Sequence, residues 1–208
     1  MSRAARVAAA SRREENEVEF SRIVAFSDGV FAIAITLLVL NLGVPQRVGG
    51  GDVGRALWEQ RQDLFAYALS FAVIGRFWLV HHRFFGDVTG FDGRLISLNI
   101  FYLGWIVLIP FSSQVLGDHG GSTAAIVLYA ANLAAVALIG AAMFADAHRV
   151  GLTKTAPEER RLNRQRALFT AGVFLISIPV AFIAPDVAPF LWLGLFFLRP
   201  GARLARRA

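Results

Sequence analysis

Three ionisable side chains lie where an apolar sequence has little reason to hold them. Asp28 follows Phe26 and Ser27 near the start of a long apolar run, and His81 and His82 close a second run that also carries Arg76 and Trp78. A carboxylate at mid-membrane costs roughly 2.5 kcal/mol or more. Asp28 should therefore face protein or water rather than lipid, one or two helical turns from the end of its span. Asn99 and Ser97 open the third apolar run at the same expected depth. An imidazole and an amide can satisfy an acid without bulk water, so His81 or His82, Asn99, Ser97 and Arg76 are candidate partners of Asp28. The simpler use of such a cluster is structural, locking the first span against the second and third. The sharper use is proton sensing or ion binding, since histidine titrates near neutral pH.

Other chemistries find little support. Adjacent histidines point ~100° apart on a helix, so His81 and His82 do not chelate one ion as an i, i+4 pair would. His119 and His148 are expected at opposite membrane faces, and no metal site is expected. Cysteine is absent, which excludes disulfides and thiolate sites. No nucleophile–base pair is visible, and Gly49, Gly50 and Gly51 read as a flexible turn. Neither an enzyme nor a resident cofactor is expected.

The elements that position these residues are membrane spans. Apolar residues make up 56 % of the 208 residues, against ~45–50 % for a soluble domain, and they are bunched. Several runs approach the ~18 or more residues needed to cross ~30 Å of hydrocarbon. Six spans are predicted in a single all-α domain, at about 23–42, 64–80, 95–116, 123–145, 167–184 and 187–198, with polar cytoplasmic tails 1–19 and 199–208 expected to be mobile. The acidic stretch Glu14, Glu15, Glu17 and Glu19 before the first run, and the length of that run, are unlike a cleaved signal peptide. The sixth span is short, since twelve residues rise only ~18 Å. Pro179, Pro185 and Pro189 suggest a kink or tight turn between spans five and six. Placing the N-terminus inside puts Arg83, Arg94, Arg149, Lys154, Arg160, Arg161, Arg164 and Arg166 on the cytoplasmic side and leaves Arg47, Arg55 and Arg61 outside. The asymmetry follows the positive-inside rule, with both termini cytoplasmic. The net charge of +6 is thereby explained without nucleic acid.

At ~100° per residue, Phe26, Gly29, Ile33, Thr36, Leu37 and Leu40 share one face of the first span. Asp28 falls nearly opposite, with Ala32, Ile35 and Val39.

The run Arg22-x-x-x-Phe26-Ser27-Asp28 and the apolar residues after it resemble the first-helix signature of the endosomal/lysosomal potassium channels (transmembrane protein 175 family) and their bacterial relatives. Trp78-x-x-His81-His82-Arg83, Leu98-Asn99-x-Phe101 and Pro110-Phe111 extend the match over the first ~115 residues, while the later spans match in length and hydropathy only. The resemblance implies six helices per subunit, a homotetramer for a single-repeat chain, and a pore lined by the first helix. It implies a constriction at Ile33 with Leu37 and Leu40 as further apolar layers, and a selectivity layer at Thr36. Arg22, Ser27, Asp28, Trp78, His81 or His82, and Asn99 would form the network supporting that helix. No Thr-Val-Gly-Tyr-Gly filter occurs. The expected function is passive potassium-permeable cation conduction in a cell membrane, gated by dewetting, with modest preference for potassium over sodium. Expected partners are the lipid bilayer, monovalent cations and three further copies of the chain. The alternatives are a proton-coupled secondary transporter, for which Asn132 is the one notable polar residue in spans four to six, and a non-conducting membrane scaffold.

Overall fold

The computed structural model describes residues 3–43 and 53–197, and these are helical almost throughout. Helix α1 (Arg3–Leu37) is followed by a 3-10 turn over Leu38–Asn41. Then come α2 (Val53–Glu59), α3 (Arg61–Asp87), α4 (Gly93–Val107), α5 (Ile109–Asp118), α6 (Thr123–Arg149), α7 (Pro157–Ile183) and α8 (Ala188–Phe197). Among the described residues, five segments are long and apolar enough to cross a membrane: Glu17–Asn41, Arg61–Asp87, Gly93–Asp118, Thr123–Arg149 and Pro157–Ile183.

Local chemistry sets several helix ends. Asp92 caps α4 by accepting from the backbone N–H of Leu95 at 2.7 Å, satisfying one of the free donors of a helix start. Helix α6 ends in a Schellman motif. Gly151 has φ of +78°, a conformation open to glycine, and the N–H groups of Gly151 and Leu152 return to the carbonyls of His148 and Ala147. Helix α7 opens with Pro157, Glu158 and Glu159, proline at its favoured first position and acids at the positive helix end.

Several expectations need correction. Residues 3–19 are helical and continuous with the first span, α1 running unbroken from Arg3. The connection after the first span holds a short helix, α2, while Gly49, Gly50 and Gly51 lie outside the described residues. The third span is two helices. Pro110 has no N–H to return to Ile106, and the chain breaks around Leu108. The Asn41 side chain holds the break by donating to the Pro110 carbonyl at 2.9 Å. The sixth segment is helical over Ala188–Phe197, ~15 Å of rise, and residues 198–208 lie outside the described range.

Helix α1 packs on α3 and α4, α3 on α5, and α6 on α4, α5 and α7, with α8 against α7. One apolar core joins Phe31, Leu38, Ile74, Tyr129, Phe174 and Trp192. Several polar groups in this core are paired, as burial favours, while the buried Asn132 amide oxygen has no hydrogen-bond partner among the described residues. The Ser70 hydroxyl lies 2.8 Å from Ser113 and 2.9 Å from the Tyr129 hydroxyl, and Trp192 donates to Ser177 at 2.9 Å. At one end of the bundle the α3–α4 and α6–α7 connections form a bridge between Val88 and Thr153. Thr89 donates to the Leu152 carbonyl and Lys154 to that of Asp87. Nearby, buried Asp146 takes Arg94 at 3.2 Å and Arg149 at 3.1 Å.

Candidate pore helix and the bonds that hold it

Helix α1 turns one sector inward. Ser27, Phe31, Ala34 and Leu38 are buried against α3, α4 and the bundle behind them. Of the residues that share Asp28's side of the wheel, Ala32 and Val39 are exposed, and Asp28 itself is half-buried at the edge of the packed sector. A helical wheel fixes angles between residues but leaves open which sector meets the protein.

Two adjacent residues of α1 are held by different partners. The Ser27 hydroxyl donates to the Ile23 carbonyl at 2.9 Å and accepts from the Asn99 amide at 3.0 Å. The Asn99 amide oxygen lies 2.8 Å from His81 Nε2. An amide oxygen only accepts, so Nε2 carries the proton, and the direction runs from His81 through Asn99 and Ser27 to Ile23. The chain joins α3, α4 and α1 at side chains that are almost wholly buried: Ser27 0 %, Asn99 1 %, His81 2 % exposed. Aromatic rings enclose His81, with Phe85 4.5 Å, Phe31 5.3 Å and Tyr102 5.5 Å away between centroids.

Asp28 accepts from the Trp78 indole N–H at 2.8 Å. His82 stacks on that indole, 5.2 Å between centroids. The question of which histidine meets Asp28 thus has a different answer. Among the described residues neither imidazole is hydrogen-bonded to it, and Trp78 takes that place. Ser97 turns back to the Gly93 carbonyl and does not join the cluster. Arg22 is exposed and lies outside both sets of bonds. Replacing Asp28 with Ala would remove the protein acceptor of the half-buried indole N–H, a loss of roughly 1 kcal/mol. Asp28→Ala is expected to lower the yield of assembled protein on size exclusion, whereas Asp28→Asn keeps an acceptor oxygen and should restore it. Equal yields for wild type and Asp28→Ala would remove the anchoring role.

The sector of α1 and of the 3-10 turn after it that faces away from the bundle is apolar. Ile33 is 60 % exposed, Leu37 37 % and Leu40 75 %, and Phe26, Gly29 and Thr36 are also exposed. The Thr36 hydroxyl donates to the Ile33 carbonyl at 2.9 Å. Its proton is used on the backbone, which leaves oxygen lone pairs to face outward. Asn132, the polar residue noted in span four, is buried and donates to Ser112 at 3.0 Å. No group of three or more histidine, aspartate or glutamate side chains suited to a metal occurs among the described residues. The serine and tyrosine bonds of Ser70, Ser113 and Tyr129 had no signature in the sequence. The tie from Asn41 to Pro110 could have been suspected only from a proline in mid-span.

This geometry defines a class: a helical membrane protein whose first helix is bonded into the bundle on one side and is apolar and uncovered on the other. The sequence model of the endosomal/lysosomal potassium channel TMEM175 matches residues 22–110. A potassium channel of Streptomyces collinus is 34 % identical over 174 residues, spanning 80 % of this chain and 84 % of that one. The endosomal/lysosomal proton channel TMEM175 of Gallus gallus is 39 % identical over 105 residues, 47 % of this chain but only 21 % of the longer protein. The crystal structure of a lysosomal potassium-selective channel TMEM175 homologue from Chamaesiphon minutus superposes with a TM-score of 0.75 at 30 % identity, covering 92 % of this chain and all of that one. The chain belongs to the TMEM175 family of ion channels.

Proposed function

We propose that the protein is a potassium-permeable channel of the cell membrane, assembled from four copies around the exposed face of α1. The observation that carries this reading is the uncovered stripe of Ile33, Leu37 and Leu40 on a helix bonded into its own bundle through Ser27 and Asp28. Stripes of this kind facing a common axis make a constriction that excludes water until it widens. Thr36 adds a ring of acceptor oxygens suited to a partly dehydrated cation. The potassium channel from Streptomyces collinus supports the choice of ion. Six crossings, with α8 as a short last one, leave both termini in the cytoplasm, which the positive-inside rule favours.

Purified protein in liposomes tests this. Potassium gradients should drive flux, with caesium and sodium passing more slowly but measurably. Silence to all three cations would overturn the proposal in favour of a scaffold. Flux that saturates and requires a proton gradient would favour a coupled transporter, although the bond from Asn132 to Ser112 leaves that reading little polar surface to work with. The relationship to a vertebrate proton channel supports a second permeant ion, and proton leak belongs in the same assay.

A further inference from the structure

The exposed surface of α7 has a regular pattern that the proposed conduction path does not use. Arg161, Leu168, Leu175 and Phe182 recur at intervals of seven residues, about two helical turns, and therefore lie in one row. All four are exposed, with Leu168 at 48 %, Leu175 at 45 % and Phe182 at 71 %. Arg164 is also exposed, one turn before Leu168 on the same side. Among the described residues neither Arg161 nor Arg164 has an ion-pair or hydrogen-bond partner. Arg160, by contrast, is spent on the Thr155 carbonyl at 2.8 Å.

We infer that this row is a binding site for an anionic phospholipid of the cytoplasmic leaflet. Its phosphate would sit between Arg161 and Arg164, and an acyl chain would lie along Leu168 and Leu175 toward Phe182. Charge complementarity selects the headgroup. Two uncommitted guanidiniums match phosphate oxygens, and they stand at the junction between the polar start of α7 and its apolar body, where headgroups lie. The row from Leu168 to Phe182 spans ~21 Å, enough for a chain that reaches the middle of a ~30 Å core. The inference rests on the topology proposed above, with the start of α7 in the cytoplasm.

Native mass spectrometry of the full-length protein in detergent, given phosphatidylglycerol or phosphatidylcholine, measures the effect without an ion gradient, so its failure would leave the conduction reading untouched. Wild type should retain phosphatidylglycerol in clear preference to phosphatidylcholine. Arg161→Gln should lower that retention about fivefold, and the double variant Arg161→Gln/Arg164→Gln about 25-fold, from the usual worth of one basic side chain at an anionic surface. The Lys/Lys double variant, which guards against a folding artefact, should keep most of it. Equal retention of the two lipids by wild type would overturn the site, as would undiminished phosphatidylglycerol on the double Gln variant. Displacement of the lipid by millimolar inorganic phosphate would overturn the lipid assignment in favour of a free-anion site.

Discussion

Substituting Asn for Ile33 is expected to raise potassium leak through reconstituted protein by about tenfold or more. Ile33 is 60 % exposed, and in the proposed assembly its copies face one another. An ion entering that ring loses water and gains nothing from a hydrocarbon wall. A carboxamide supplies donors and acceptors at the same place, and each 1.4 kcal/mol removed from the barrier gives roughly tenfold more flux. The substitution should cost little stability, because the side chain is mostly exposed in its own subunit. Thr36→Ala should act differently, changing the ratio of potassium to sodium flux more than its size, since it removes the outward-facing oxygen and leaves the apolar layers in place. Liposome flux with potassium and sodium in parallel reads both effects. If substitutions at Ile33, Thr36 and Leu37 all leave the currents unchanged, the pore does not run along this face.

The second large effect is expected at Asn99, and it is on stability. Asn99 is the middle of the bonded chain from His81 to Ser27. Leucine has nearly the same shape but leaves the His81 N–H unbonded among aromatic rings and removes the donor to Ser27. Each stranded buried group costs roughly 1–3 kcal/mol, so Asn99→Leu should lose about 2–5 kcal/mol. For a chain of this size that corresponds to roughly 5–15 °C in melting temperature, measurable in detergent by following the size-exclusion peak on heating. Trp78→Phe should cost less, because the Trp78 and Asp28 side chains are only half-buried and water can replace the lost bond. A melting temperature for Asn99→Leu within a degree or two of wild type would mean that the buried bonds do not hold α1.

The presence of several apolar spans was legible in the sequence because it depends on quantities that add along the chain, whereas their ends were not, α7 for example starting at Pro157 rather than near residue 167. A run of apolar residues is long enough to cross a membrane or it is not, as with the segments that contain Phe77 and Tyr129. Arginines such as Arg83, Arg94 and Arg164 crowd one side whatever the fold. The separation of Asp28 from Ile33, Thr36, Leu37 and Leu40 was equally legible, since ~100° per residue follows from the helix itself.

What the sequence left open depends on where one helix meets another. Periodicity placed Asp28 in the same sector as Ala32, Ile35 and Val39, but the sector that packs is Ser27, Phe31, Ala34 and Leu38. Asp28 found Trp78 and not a histidine, because α3 presents the indole to α1 and turns His81 toward Asn99. The break in the third span falls at a proline, which removes one bond, and Asn41, 69 residues away, donates to that proline's own carbonyl. Composition and spacing by themselves determined that this is a membrane protein of several helices with a two-sided first span. Only the tertiary structure decided which side is bonded and which is bare, because that choice is made by hydrogen bonds and packing between residues far apart in the chain, and no repeat along the chain encodes them.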